Sequence, residues 1–155
     1  MRTIFLSAFA LVSLGFRPAP LPTPAAAPMP VTAPTAAPAP EAILGRWLTA
    51  DKAGIVEITV SGGTFSGKLT GPATTGRVDA KNADAALRKR PLLGLPLLQG
   101  FRFEDGAWED GTVYDPNNGK TYSCILRLKS ANVLEVRGYV GISLLGRTDT
   151  WTRVL

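Results

Sequence analysis

Lys120-Thr-Tyr-Ser-Cys-Ile-Leu-Arg-Leu-Lys129, the turn Ser130-Ala-Asn132, and Val133-Leu-Glu-Val-Arg-Gly-Tyr-Val140 decide the fold. Tyr122, Cys124, Leu126 and Leu128 fall on one face of an extended chain, while Ser123, Arg127 and Lys129 fall on the other. Leu134, Val136, Gly138 and Val140 repeat the alternation against Glu135, Arg137 and Tyr139. A period of two belongs to strands with one buried face, and the intervening turn makes the pair a hairpin.

Working outward, strand character recurs over residues 44–49, 54–60, 64–70, 97–104 and 111–115, and again over 143–154. Asp51-Lys-Ala-Gly54, Ser61-Gly-Gly63, Glu104-Asp-Gly106 and Asp115-Pro-Asn-Asn-Gly119 supply turn chemistry between them. The reading is all-β: about eight short strands in up-and-down order with no long helix, which closure into an antiparallel barrel relieves of exposed edges. A barrel of about eight strands holds packed side chains or one small ligand, not a wide pore. Closure predicts that the first and last strands are neighbours.

Upstream of Glu41 the composition changes. Met1-Arg2, an uncharged apolar run over residues 3–16 and the break at Arg17 read as a secretory signal, too short to span a bilayer in comfort. Cleavage after Ala27 meets Pro28; cleavage after Gly15 and an uncleaved membrane tether are the alternatives. Cys124, the lone cysteine, is too far downstream to carry a lipid anchor. Residues 17–40 hold nine of the 13 prolines and read as an extended, poorly ordered spacer. The folded domain is expected over residues 41–155, in a periplasmic or secreted protein.

Composition excludes several functions. Without Arg2 and Arg17 the chain keeps 15 basic and 12 acidic residues, too mild a bias for a nucleic-acid interface. There is no histidine, which removes the commonest general base and metal ligand together. No Gly-X-Ser-X-Gly elbow occurs, so an enzyme, the third-ranked reading, would depend on carboxylates such as Asp79, Asp115, Glu135 and Asp149. Asp115-Pro-Asn-Asn-Gly119 carries oxygen donors, but those residue types are what a tight turn requires. No catalytic residue, metal or cofactor is expected. Cys124, mid-strand, reads as a small buried hydrophobe.

The long connection over residues 71–93 and the polar residues set into the later strands form the best remaining constellation. Asp79, Asn82 and Arg90 from the connection are expected to converge at one barrel end with some of Tyr114, Asp115, Arg137, Tyr139 and Arg147. A guanidinium there would fork a ligand's acid group or a protein carboxylate. Arg137 is the pivot of this expectation, as ligand contact or as counter-ion to a buried Asp. Tyr114, Tyr122, Tyr139, Trp108 and Trp151 would pack the core or line a cleft beside it. The leading functional reading is a non-catalytic binding module for a small amphipathic or anionic molecule. A fully packed barrel that contacts a cell-envelope partner is the alternative. Membrane attachment is expected only through an uncleaved signal segment.

Gly45-Arg-Trp-Leu48, Arg90-Pro-Leu-Leu-Gly-Leu-Pro-Leu-Leu98, Gly111-Thr-Val-Tyr-Asp-Pro-Asn-Asn-Gly-Lys-Thr-Tyr122, Val136-Arg-Gly-Tyr-Val-Gly-Ile-Ser-Leu-Leu-Gly-Arg147 and Thr150-Trp-Thr-Arg153 together resemble the bacterial exported family known as domain of unknown function 2147. The resemblance covers residues 44–154. It implies a small lipocalin-type barrel and carries no activity or catalytic residues with it. In lipocalins a similar Gly-X-Trp opens the first strand, the indole plugging one end under a basic side chain from the last strand, here Arg153. Two departures are visible. Ser61 and Ser66 stand where many members carry a cysteine pair, and Asn82-Ala-Asp-Ala85 replaces a proline-containing turn.

Overall fold

The structure is a computed structural model that describes residues 37–71 and 75–155. The signal segment and the spacer as far as residue 36 lie outside the described residues. Eight antiparallel strands follow one another: β1 (Gly45–Leu48), β2 (Ile55–Ser61), β3 (Thr64–Thr70), β4 (Pro96–Glu104), β5 (Ala107–Asp115), β6 (Lys120–Ser130), β7 (Val133–Tyr139) and β8 (Arg147–Val154). Each pairs with the next, and β8 pairs with β1, so the barrel is closed. Among the described residues, 3-10 turns interrupt the β structure at Pro40–Ile43, Ala85–Leu87 and Ser143–Leu145. The last lies where the sequence reads as the start of the final strand.

Alternation holds round the barrel. Trp47, Val56, Leu98, Phe101, Trp108, Cys124, Leu126 and Leu134 are fully enclosed on the inner face. Charged residues occupy the outer face and pair across strands, as Glu57–Lys68, Glu109–Arg127 and Glu135–Lys129 do. This is the reverse of the apolar-out pattern of a membrane-spanning barrel. Such exposed pairs each contribute little to stability. Gly111 faces inward under Phe101, and a Cβ there would lie 2.4 Å from the ring. Just before it Asp110 takes a positive φ of 60°, and the β5–β6 register shifts between Trp108 and Gly111. Because of that bulge β5 begins at Ala107, earlier than its alternation shows.

One end of the barrel is sealed. Trp47 pairs with Arg153 across β1 and β8, and the guanidinium lies 4.2 Å from the indole centroid. The same guanidinium donates to Ala131 O (2.7 Å), Leu44 O (2.7 Å) and Ala42 O (2.6 Å), tying the β6–β7 turn to the Pro40–Ile43 turn. The indole nitrogens of Trp47 and Trp108 donate to Ile43 O (2.8 Å) and Pro40 O (3.1 Å). Pro40, which composition places in the spacer, is thus part of the closed end.

Candidate functional site

In an up-and-down barrel the β1–β2, β3–β4, β5–β6 and β7–β8 connections share one end, opposite the Trp47 plug. There the inner face is no longer filled, and a cavity of about 430 Å³ opens. Leu69, Leu97, Val113, Tyr122, Val136 and Trp151 supply its apolar wall. The space exists because the large inner side chains, Trp47, Phe101 and Trp108, crowd the sealed half, whereas Gly138 and short β-branched residues occupy the open half. A Cβ built on Gly138 would meet Val113 Cγ1 at 3.5 Å, an ordinary contact. Its volume lies within the range of small-molecule pockets.

The rim is polar and largely self-satisfied. Asp51 accepts from Thr49 Oγ1 (2.7 Å) and Ala53 N (3.0 Å). Burial pushes its pKa up, but these hydrogen bonds and the charge of Arg77 outweigh that and leave it lowered. Asp115 accepts from Asn117 N (2.9 Å) and Asn118 Nδ2 (2.8 Å), holding its own turn. The tight-turn reading of these oxygen donors therefore fits their geometry. Arg147 pairs with Asp149 at 3.1 Å while remaining 85% exposed. Tyr139 borders the cavity where β7 ends.

Asp79, Asn82, Arg90 and Tyr114 come together as a second, buried cluster beside the cavity. The β3–β4 connection folds back on itself through the Val78–Pro91 bridge, with Asp79 N donating to Arg90 O and Leu92 N to Arg77 O. Its tip is held by two side-chain turns. Asn82 Oδ1 accepts from Asp84 N and Asp84 Oδ1 from Ala86 N, each at 2.9 Å. Tyr114 leaves the inner row that Gly111 and Val113 occupy, and the connection covers it. Tyr114 Oη donates to Asp79 Oδ1 at 2.6 Å. Asn82 Nδ2 donates to Asp79 Oδ2 at 2.8 Å, and Arg90 reaches that oxygen through Nε (2.9 Å) and Nη2 (2.8 Å).

Burial pushes the Asp79 carboxyl upward, but the hydrogen bonds from Tyr114, Asn82 and Arg90, with the Arg90 charge, hold it below its ordinary value. The Tyr114 phenol is raised by burial, by its bond to Asp79 and by the negative charge of that carboxylate. Both carboxylate oxygens are engaged within the protein. No buried side-chain nitrogen or oxygen among the described residues lacks a partner. The cluster braces the loop that supplies Arg77 and Leu92 to the cavity.

Arg137 does not join either group. It alternates outward from Val136, and its guanidinium donates to Ser143 O (2.8 Å), Leu144 O (3.3 Å) and Thr148 Oγ1 (2.8 Å) on the outer wall. The expectation that Arg137 is counter-ion to a buried carboxylate is corrected: Arg90 is the counter-ion, and Arg137 holds the β7–β8 connection. Of the aromatics expected at a cleft, Tyr114, Tyr122, Tyr139 and Trp151 line the cavity, while Trp108 packs at the sealed end. Thr49, Asp51 and Arg77 were not singled out in the sequence, and Asn118 was read there only as part of a tight turn. The parity of the connections was the signal for them, since Asp51 and Asn118 lie in turns at the same end as the long loop. Cys124 is enclosed, and burial pushes its thiol up to about 12. Among the described residues no three Cys, Asp or Glu side chains gather as metal ligands.

The structure is similar to that of a solved protein described as "Protein HP1028 from the human pathogen Helicobacter pylori belongs to the lipocalin family", with a TM-score of 0.64 and 23% identity over 72% of this chain and 82% of that one. At that identity the likeness shows the fold. No curated protein matches the chain. The family model described as an uncharacterized protein conserved in bacteria (DUF2147) matches residues 45–153, and the chain belongs to that family of lipocalin-like barrels.

Proposed function

We propose that the protein is an exported, non-catalytic binding module that holds a small amphipathic molecule, its apolar body inside the barrel and its polar group at the rim. The cavity of about 430 Å³ at the open end carries this reading. A fully packed barrel, the alternative, has no use for such a space. The rim places Arg77 and Arg147 among Asp51, Asp115 and Asp149, so its charges favour a polar or mixed head group over a bare anion. Export is supported by Met1-Arg2 and the apolar run that follows. A barrel whose single thiol is buried also suits an oxidising compartment, since no exposed thiol invites mispairing.

The test is a thermal-shift and native-mass screen of amphipathic metabolites against the protein and its Gly138→Leu variant. Leucine would extend from β7 into the cavity, between Val113 and Tyr122. The expected outcome is a ligand that raises the melting temperature of the natural chain and loses affinity at least ~10-fold in the variant, which itself melts no lower. Equal binding by both would place the ligand elsewhere and sink the proposal.

A further inference from the structure

The β7–β8 connection carries Val140, Ile142, Leu144 and Leu145 at 72, 59, 83 and 79% exposure. Four adjacent large apolar residues in water are unusual at a surface unless something covers them. They are not a frayed tip. Leu145 N and Gly146 N donate to Ile142 O and Ser143 O, and Arg137 clamps the carbonyls of Ser143 and Leu144 from the strand beneath. A charged side chain is thus committed to holding an apolar turn outward. Val140 and Leu145 also line the cavity, so this turn forms part of its rim.

Charge identifies what the rim meets. Residues 49–54, 71–95, 115–120 and 139–149, the four connections at the open end with their flanks, hold eight lysines and arginines against five aspartates. The rest of the chain from Glu41 onward holds seven of each sign. The whole basic excess of the domain therefore lies at the same end as the exposed leucines, and Lys52, Lys81, Arg88 and Lys89 are all exposed. A second copy of the same face would be repelled by this excess, whereas an anionic bilayer attracts it. The geometry points to the open end as a docking surface for the anionic surface of a lipid bilayer, with Ile142 and Leu144 entering the head-group region and the basic loops lying on the lipid phosphates. Docked in this way, the cavity opens toward the membrane. The inference does not depend on which molecule the cavity holds.

The apolar segment at residues 3–16 can reach a membrane by itself, so the readout belongs on the loop. Leu144→Cys introduces a thiol that a polarity-sensitive fluorophore labels selectively, Cys124 being enclosed. Glu104→Cys at the sealed end is the control. There an added Cβ on neighbouring Gly106 would lie 3.8 Å from Ala37 and Pro38, so the chain enters the barrel on that side. With the full chain and vesicles of phosphatidylcholine and phosphatidylglycerol, the probe at 144 should shift to the blue and brighten, and the probe at 104 should not. Adding Ile142→Asp should weaken the response ~10-fold, about the effect of leaving one such side chain in water. Raised salt should weaken it as well. No change at 144, equal changes at both positions, or a concentration-dependent change at 144 without vesicles, meaning a second copy covers the face, would each overturn the proposal.

Discussion

Replacing Arg90 with leucine removes the only cation among the described residues that touches the Asp79 carboxylate and leaves that group, 0% exposed, with Tyr114 and Asn82 as its remaining donors. Breaking a buried ion pair by deleting one partner costs about 3–5 kcal/mol. Here the figure is smaller, because the Arg90 side chain is 34% exposed and two hydrogen bonds to the carboxylate persist. About 2–3 kcal/mol is expected at neutral pH. For a domain of this size that corresponds to a fall of ~8–12 °C in Tm, followed by tryptophan fluorescence.

The pH dependence has a definite sign. The folded-state pKa of Asp79 is depressed, so its contribution is complete above the ordinary carboxylate value of 3.8 and is lost as pH falls through the lower folded value. The Tyr114 pKa is raised, so its contribution holds below 10.0 and is lost as pH rises through the higher folded value. The gap between the natural chain and Arg90→Leu should therefore be largest near neutrality and shrink below pH ~4, where the carboxylate of the unfolded chain begins to protonate. A Tm loss under ~2 °C at neutral pH, or a gap unchanged at pH 3, would show that Arg90 does not neutralise Asp79. Arg137→Leu is the comparison: its acceptors are two carbonyls and one hydroxyl at a partly exposed surface, so about 1 kcal/mol is expected.

Arg153→Met should cost ~2–4 kcal/mol in urea denaturation, since it removes three charge-assisted hydrogen bonds and the contact over Trp47; a loss under 1 kcal/mol would mean the plug holds without it. Gly111→Ala drives a methyl group into the Phe101 ring and should destabilise by ~2 kcal/mol or more, whereas Gly62→Ala, in the open β2–β3 turn, carries only the strain of its positive φ and should cost about 1 kcal/mol. The Cys124 thiol, pushed up to about 12 by burial, should react with a thiol reagent at pH 8 only at the rate of opening. Rapid labelling of the folded protein would contradict its placement inside the barrel.

Local chemistry alone determined the β architecture. Alternation along residues 120–140 assigns Cys124, Leu126, Leu134 and Val136 to the inside and Arg127 and Glu135 to the outside, because a strand has only two faces. The same parity sends Arg137 outward, and the expectation of a site role for it set that parity aside. The β1–β8 closure was legible because an up-and-down sheet that closes must join its ends, and the Trp47–Arg153 contact because Gly45-Arg-Trp47 resembles the opening of a lipocalin first strand. The partnership of Asp79 with Tyr114 had no periodic signal to fix it: it spans 35 residues and depends on a loop folding over the outside of β5. The cavity was equally hidden, since an empty half-barrel is a balance of side-chain volumes contributed by all eight strands, with two tryptophans and Phe101 filling one end and Gly138 beside Val113 and Val136 at the other. Strand periodicity is a property of each segment and can be read from it. Volume left over and charges brought face to face belong to the assembled barrel, and only the tertiary structure decided them.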